Sequence, residues 1–123
     1  MKESRPIVVL VTGCSQGIGE ATCHALLQRG NQVLGLDLKA PSSALAEHPN
    51  FQFENVDLTQ EGMYDRWLEL FNTYAPDAVV HSAGMGTMGQ FGEIPRERER
   101  FMVKLNVLAT LDMVHAAVAI ARG

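Results

Sequence analysis

Continuous apolar runs alternate along this chain with stretches in which apolar residues recur every three or four positions. The first run, Ile7–Thr12, is rich in β-branched residues and is polar only at its last position. An unbroken run of this kind is typical of a strand that is buried on both faces, as in a parallel sheet. Three later runs predict further strands at Asn31–Leu36, Phe51–Val56 and Ala78–His81.

The stretches between these runs predict helices. Gly17–Arg29 predicts a helix that ends at Gly30, and a short helix is expected within the loop-like segment Lys39–Asn50. Thr59 is the expected N-cap of a third helix, because one apolar stripe follows it and Pro76 stops it. The stripe consists of Met63, Trp67, Leu70, Phe71 and Tyr74.

A fourth and longer helix is predicted near the end of the chain. Pro95 is favoured at a first helical position, and the helix is expected to run from there to about Arg122. Its apolar segment Leu105–Ala121 is interrupted by three polar residues, so we expect a buried helix and no membrane span. These residues are Asn106, Asp112 and His115.

The resulting alternation of strand and helix predicts an α/β fold with a doubly wound parallel sheet and right-handed crossovers. We expect four strands in the order 3-2-1-4, with the strands that would complete such a sheet lying beyond the chain. The 123 residues suit a single domain, so residues 1–123 are interpreted as one domain that is incomplete at its C-terminus.

Composition and charge narrow the class of partner. Apolar residues make up 46% of the chain and charged residues 20%, which is typical of an ordinary globular domain. The net charge of −4 and the mixed signs of Arg96–Arg100 argue against a nucleic-acid partner. Cys14 and Cys23 are too few for a disulfide framework, so we expect reduced thiols in the cytoplasm.

The first strand leads into a glycine-rich segment, Thr12–Gly19. Gly13 can adopt the positive φ of a sharp turn, Gly17 would let the backbone approach a pyrophosphate, and Gly19 would let the helix pack closely on the sheet. Amides at the helix start would attract phosphates, and Ser15 could add a hydroxyl donor. Because the motif follows a strand and opens a helix, it predicts a dinucleotide site, with an ordinary turn as the alternative.

Two carboxylates follow the second and third strands. Asp37 could accept both hydroxyls of an adenosine ribose and would repel a 2′-phosphate, which favours NAD over NADP; Lys39 could soften this preference. Asp57 could accept a hydrogen bond from the adenine amino group. Each has a simpler alternative, a turn cap at Asp37 and an N-cap for the helix from Thr59 at Asp57.

Two further motifs come after the fourth strand. Ala83-Gly84 follows that strand directly, and Asn106 lies in the long helix within Lys104–Val107. In order and spacing, the series of motifs resembles the short-chain dehydrogenase/reductase family over essentially the whole chain. The series comprises Thr12–Gly19, Asp37, Asp57-Leu58, Ala83-Gly84 and Asn106.

The resemblance implies a Rossmann-type fold that binds a nicotinamide cofactor. By resemblance, Asn106 matches the helix Asn that helps to hold a proton-relay water in the family. The cofactor contacts, in the order pyrophosphate, ribose, adenine and groove, would be Gly13, Ser15, Gln16, Gly17, Ile18, Gly19, Asp37, Leu38, Asp57, Leu58, Ala83 and Gly84.

The chain departs from the family pattern in two places. The family usually has Asn-Asn before Ala-Gly, whereas this chain has His81-Ser82. His81 could replace the sheet-bracing Asn or could be an ordinary strand-end histidine. The catalytic Tyr-x-x-x-Lys of the family is absent, because neither Tyr64 nor Tyr74 has a Lys four residues later. Without it, the chain has no general acid/base for carbonyl–alcohol chemistry.

Two interpretations of function follow. In the first, the chain is the cofactor-binding part of an enzyme that transfers hydride between an NAD cofactor and a small alcohol or carbonyl compound. In the second, it is a non-catalytic module that binds or senses a dinucleotide. A reading frame that continues past Gly123 with Tyr-x-x-x-Lys would favour the enzyme.

Association through the long helix is also expected. From Leu105 to Ile120 that helix is apolar nearly all round, so a surplus face needs cover. The surplus includes some of Val107, Leu111, Val114 and Val118. By resemblance, the cover is a second subunit in a homodimer or homotetramer; the alternative is cover by the missing C-terminal segment. No metal is expected, because the four histidines and two cysteines lack ligand spacing.

Overall fold

The computed structural model of the chain describes residues 5–86 and 88–123. Its strands are β1 (Val8–Thr12), β2 (Gln32–Asp37), β3 (Phe51–Asn55) and β4 (Ala78–His81). Its helices are α1 (Gly17–Gln28), α2 (Ser43–Ala46), α3 (Met63–Tyr74), α4 (Arg96–Val103) and α5 (Ala109–Arg122), and a π-helical segment, Lys104–Leu108, joins the last two. The predicted alternation of strands and helices is confirmed.

The four strands form one parallel sheet in the order β3-β2-β1-β4, as predicted. Thr12 pairs in register with Leu36 on β2 and with His81 on β4. The carboxyl ends of these three strands therefore lie side by side. In open parallel sheets this edge is where ligands bind.

The chain divides into two units. The first consists of the described residues up to Val56 together with Tyr74–Ser82, and it holds the whole sheet with α1 and α2. The second consists of Asp57–Thr73 and Ala83–Gly123, and it holds α4, α5 and all of α3 except its last residue.

The core of the first unit is made by apolar side chains of the strands and of α1 and α2. Gly35 in β2 makes room for two of them, since a β-carbon there would lie 2.6 Å from Cys14 Sγ and 2.7 Å from Phe51 Cζ. A side chain at position 35 would therefore displace buried groups. The buried members are Val9, Val11, Cys14, Cys23, Leu27, Val33, Leu45 and Phe51.

In the second unit, the predicted stripe on α3 is buried. The rings of Trp67 and Phe71 stack with their centroids 5.5 Å apart. Tyr74 ends the helix, and its neighbour Ala75 has a left-handed φ of 45°, directly before Pro76. The buried members of the stripe are Met63, Trp67, Leu70 and Phe71.

The expectation that Thr59 caps this helix is wrong, because α3 begins four residues later, at Met63. The Asp57 Oδ1 atom instead accepts the Thr59 amide at 2.9 Å and the Thr59 hydroxyl at 2.7 Å. This local Asp turn competes with helix formation. Gly62 has a φ of 75°, which lies outside the helical region and delays the helix to the next residue.

The long final helix runs over Arg96–Arg122, close to the predicted bounds. The expectation that it is buried is wrong. Only 17% of its most apolar window is buried, and by length and composition alone it could cross a membrane, a test that core helices also pass. Three residues of α5 are buried, namely Ala109, Met113 and Ala116. The exposed apolar face comprises Val103, Val107, Leu108, Leu111, Val114 and Val118.

Candidate functional site

The glycine-rich turn leaves β1 with its backbone held against β2. The Gly13 amide donates a 2.9 Å hydrogen bond to the Leu36 carbonyl, and Gly13 has a φ of 68°. Gln16 at the N-cap of α1 has extended backbone and makes no side-chain cap, so the helix amides next to it are not covered by its side chain. Gly17 begins the helix and is exposed.

Gly17 and Gly19 are needed for different reasons. Gly17 has a φ of 60°, and a β-carbon there would meet no atom of the described residues within 4 Å, so these residues leave the space in front of it open. A β-carbon on Gly19 would run into the Gly13 carbonyl, whose carbon would be 2.7 Å away. Open space at the start of a helix of twelve residues suits an anion. Because Gly19 has no side chain, the helix can begin close to the strand.

Asp37 is joined to this turn. Its Oδ2 atom accepts the Ser15 amide at 3.1 Å, and its Oδ1 atom accepts the Lys39 amide at 3.1 Å. A carboxylate oxygen has two acceptor positions. Each oxygen of Asp37 therefore keeps one position for a further donor, such as a ribose hydroxyl.

Ser15 has a different hydrogen bond from the one expected. Its hydroxyl donates to the Lys39 carbonyl at 2.6 Å, so its single proton is used within the protein. Leu38 lies between these partners with its side chain exposed, and the Asn55 side-chain amide donates to its carbonyl at 2.8 Å. Ser15 thus connects the turn to the loop after β2 through both its amide and its hydroxyl.

The second unit contributes four of the predicted positions after β3 and β4, namely Asp57, Leu58, Ala83 and Gly84. Asp57 is half-buried and engaged with Thr59, as described above, and Leu58 is buried. Gly84 lies against the long helix, where a β-carbon would come 3.1 Å from Asn106 Oδ1. The absence of a side chain at Gly84 therefore permits this approach.

Asn106 lies in the π-helical segment and holds the loop that follows Gly84. Its Oδ1 atom accepts the Met85 amide at 3.0 Å, and its Nδ2 atom donates to the Met85 carbonyl at 2.6 Å. The Asn106 carbonyl accepts the Thr110 hydroxyl at 2.9 Å. π-helical turns inside longer helices are frequent at functional sites.

Thr12 and His81 form a contact that the sequence did not predict. Thr12 Oγ1 lies 2.8 Å from His81 Nδ1, and it accepts the Ser82 amide at 3.0 Å. Burial lowers the pKa of His81, so the neutral ring is favoured. His81 is thus a strand-end histidine whose hydrogen bond joins β4 to β1.

Neither cysteine has the features of a reactive thiol. Burial raises the pKa of Cys14, and burial together with the nearby Cys14 raises the pKa of Cys23 to about 12. Both thiols are therefore protonated at neutral pH, and a thiol needs its thiolate to react. Within residues 5–86 and 88–123, no group of three or more acidic, His or Cys side chains could hold a metal ion.

The predicted site residues therefore fall into two sets. In the first unit, the glycine turn is hydrogen-bonded to Asp37 through Ser15. In the second unit, Gly84 and Asn106 meet at the loop that follows β4, while Asp57 and Leu58 precede α3. Sequence reasoning identified these positions, but it did not identify Met85 or the Thr12–His81 contact.

Comparisons with known proteins agree with the resemblance that these motifs indicate. The sequence profile of the short chain dehydrogenase family matches residues 7–121. A short chain dehydrogenase of Emericella nidulans, ausX, is 30% identical over 118 residues, which are 92% of this chain and 59% of that protein. The short chain dehydrogenase adrF of Penicillium roqueforti is 47% identical over 55 residues, which are 45% of this chain and 22% of that protein.

Solved structures agree with the fold. A short chain dehydrogenase family protein from Francisella tularensis superposes with a TM-score of 0.76 at 27% identity, covering 91% of this chain and 45% of that one. A short chain dehydrogenase from Leptospira borgpetersenii with bound NAD+ gives a TM-score of 0.82 at 24% identity, covering 94% and 46%. The chain thus spans about half the length of these relatives. A profile match over almost every residue, with a parallel sheet in the order 3-2-1-4, shows that the chain has a Rossmann-type α/β fold and belongs to the short chain dehydrogenase family.

Proposed function

We propose that this chain is the nicotinamide-dinucleotide-binding part of an oxidoreductase that transfers hydride between NAD and a small alcohol or carbonyl compound. The observation that carries the proposal is the hydrogen bond from Ser15 to Asp37, which joins the glycine-rich turn, where a phosphate would bind, to the carboxylate that would accept the ribose hydroxyls. When bound, the cofactor supplies the hydride chemistry, and the protein holds and orients it.

The pyrophosphate would lie in front of Gly17. The space there is open, and Gln16, Gly17 and Ile18 are exposed at the start of α1. Amides at the end of a helix and the helix dipole attract a phosphate there. Gly13 sets the turn, and the missing side chain of Gly19 lets α1 start close to it.

The adenosine end would be held by Asp37 and Leu38. The free acceptor positions of Asp37 suit the two ribose hydroxyls, and its charge disfavours a 2′-phosphate, so NAD is preferred to NADP. The bound NAD+ in the Leptospira relative supports this choice. Asp57 and Leu58 would flank the adenine, and Ala83 with Gly84 would line the groove, as the family pattern implies.

Asn106 would act chiefly by positioning. Its side-chain amide is paired with both backbone groups of Met85, so it fixes the loop after Gly84. By resemblance to the family, Asn106 would also help to hold a proton-relay water. This chain holds no Tyr-x-x-x-Lys, so a proton for carbonyl–alcohol chemistry would come from outside these residues.

The exposed face of the long helix supports association of two copies. The valine and leucine side chains along it are about half exposed. Such a face is usually covered in the working protein, and symmetric pairing of one patch with itself is the commonest way to do so. We propose a homodimer or homotetramer in the cytoplasm, with no nucleic-acid or membrane partner.

The direct test is titration of the purified chain with NAD+, NADP+ and ADP-ribose. Saturable binding of NAD+ that ADP-ribose displaces is expected, because the predicted contacts hold the adenosine diphosphate half. Failure of all three ligands to bind a folded chain would overturn the proposal. The alternative, a non-catalytic sensing module, predicts the same binding but no hydride transfer when the chain is joined to a C-terminal half from a relative.

A further inference from the structure

One buried hydroxyl lies where the carboxyl ends of three strands meet. Thr12 is fully buried and pairs in register with Leu36 on β2 and His81 on β4. The next residue, Gly13, donates its amide to the Leu36 carbonyl at 2.9 Å. The Thr12 side chain is therefore placed directly before the glycine turn, between the end of β1 and the end of β4.

The hydrogen bonds at this hydroxyl form a chain. Its oxygen accepts the Ser82 amide at 3.0 Å and lies 2.8 Å from His81 Nδ1. A hydroxyl has one proton to donate, and the neutral imidazole has one nitrogen that accepts. Burial disfavours the charged ring, and a neutral ring permits two directions for this bond: Thr12 donates to Nδ1, or Nδ1 donates to Thr12 Oγ1, which can accept the Ser82 amide as well.

We propose that His81 is a positioning residue for the cofactor site. In the proposed arrangement Nδ1 accepts the Thr12 proton and so directs the hydroxyl, while the Thr12 oxygen accepts the Ser82 amide and holds that backbone. The glycine turn follows β1 and Ser82-Ala83 follows β4, so both segments start from the same group of hydrogen-bonded residues. The expected effect on cofactor binding rests on the proposed function. The hydrogen bonds among Thr12, His81 and Ser82 do not depend on it.

Four variants distinguish the effects of the acceptor atom of His81, the volume of its side chain and the hydroxyl of Thr12. His81→Asn keeps an acceptor, because Oδ1 of Asn occupies the place of Nδ1 relative to Cγ, whereas His81→Leu fills the volume without one. Thr12→Val replaces only the hydroxyl by a methyl group. His48→Leu is the matched control, since the ring of the half-buried His48 also accepts a local hydrogen bond, from the Asn50 amide.

The expected results follow from the loss of one buried hydrogen bond. His81→Leu and Thr12→Val should each raise the Kd for NAD+ about three- to tenfold. The double variant should be no weaker than the worse single variant. His81→Asn should stay within about twofold of the unmodified chain, as should His48→Leu. A folded His81→Asn chain that binds as weakly as His81→Leu would overturn the acceptor role.

Two readouts keep the inference separate from the proposed function. The ring ¹⁵N shifts of His81 should show hydrogen at Nε2 and should change in Thr12→Val. The thermal unfolding temperatures of Thr12→Val, His81→Leu and the double variant should be non-additive, whether or not a nucleotide binds. Additive effects, or ring shifts that ignore Thr12→Val, would overturn the inference. Absence of nucleotide binding together with non-additivity would overturn only the proposed function and the effect on binding.

Discussion

The Ser15 amide donates a 3.1 Å hydrogen bond to Oδ2 of Asp37, and this bond joins the glycine-rich turn to the end of β2. The two residues are 22 positions apart in the chain. The bond places the carboxylate beside the turn that would hold a pyrophosphate. The adenosine ribose of a dinucleotide lies next to its pyrophosphate, so one cofactor could contact both groups. Asp37 therefore shapes the turn, and in the proposed function it would also accept ribose hydroxyls.

Substitution of Asp37 tests the choice of cofactor. Asp37→Ala should weaken NAD+ binding about ten- to a hundredfold, because hydrogen bonds to a charged acceptor are lost, and should affect NADP+ less. Calorimetric titration of both cofactors measures this. Asp77→Ala is the matched control, since Asp77 also accepts a strand amide, that of Val8. Equal affinity of the unmodified chain for NAD+ and NADP+ would contradict the claim.

The glycine turn can be tested with a pair of equally strained substitutions. Gly17→Val and Gly30→Val both place a branched residue at positive φ, at 60° and 83°, and both positions have open space around a β-carbon. The two variants should lose similar stability, but only Gly17→Val should abolish NAD+ binding. Circular dichroism and cofactor titration measure the two effects. Retained binding in folded Gly17→Val would show that the phosphate lies elsewhere.

The isolated chain should bind cofactor without turning it over. Neither Tyr64 nor Tyr74 has a nearby Lys in sequence, and the Tyr74 phenol donates to Glu54 at 2.7 Å while accepting from Gln52. NADH formation from a panel of alcohols, followed at 340 nm beside a full-length family enzyme, should show no rate above background. A rate that Tyr64→Phe or Tyr74→Phe abolishes would contradict this prediction.

The apolar face of α5 should cause self-association. Light scattering across a concentration series should give about twice the monomer mass or more, because an uncovered apolar face of this kind favours pairing. Leu111→Glu with Val118→Lys should shift the chain towards monomer. Phe91→Lys is the control, as Phe91 is 96% exposed but lies in the loop before α4. A strictly monomeric unmodified chain at high concentration would refute the prediction.

Stability should depend on the charge of His81. Burial lowers its pKa below the ordinary value of 6.5, so the unfolded chain binds the proton more tightly than the folded one. The resulting stability is present above about pH 6.5 and is lost as the pH falls through the lower folded value. Chemical unfolding between pH 5 and 8 should show this loss in the unmodified chain. His81→Asn should show a smaller loss over the same range, and an identical profile would contradict the assignment.

The sequence by itself determined the elements and their order. Strand and helix patterns depend on neighbours within a few residues, so each strand was located to within one residue at either end. Alternating strands and helices indicate parallel pairing, and the order 3-2-1-4, which the structure confirms, is that of the Rossmann-type fold that the family resemblance implies. The glycine motif and Asp37 were also visible, because their spacing reflects a local strand–turn–helix unit.

Tertiary structure alone decided how the side chains at the site are used. Thr12 and His81 are 69 positions apart in the sequence, and Asn106 and Met85 are 21 apart, so no local pattern could predict either hydrogen bond. The sequence pattern places the start of α3 too early, because the Asp57 carboxylate accepts the Thr59 amide in a local turn. Whether this turn or a first helical turn forms depends on the folded backbone. Tertiary structure likewise decides which face of α5 is exposed. A helix that is apolar nearly all round shows in its sequence how much apolar surface must be covered, but not which face is buried.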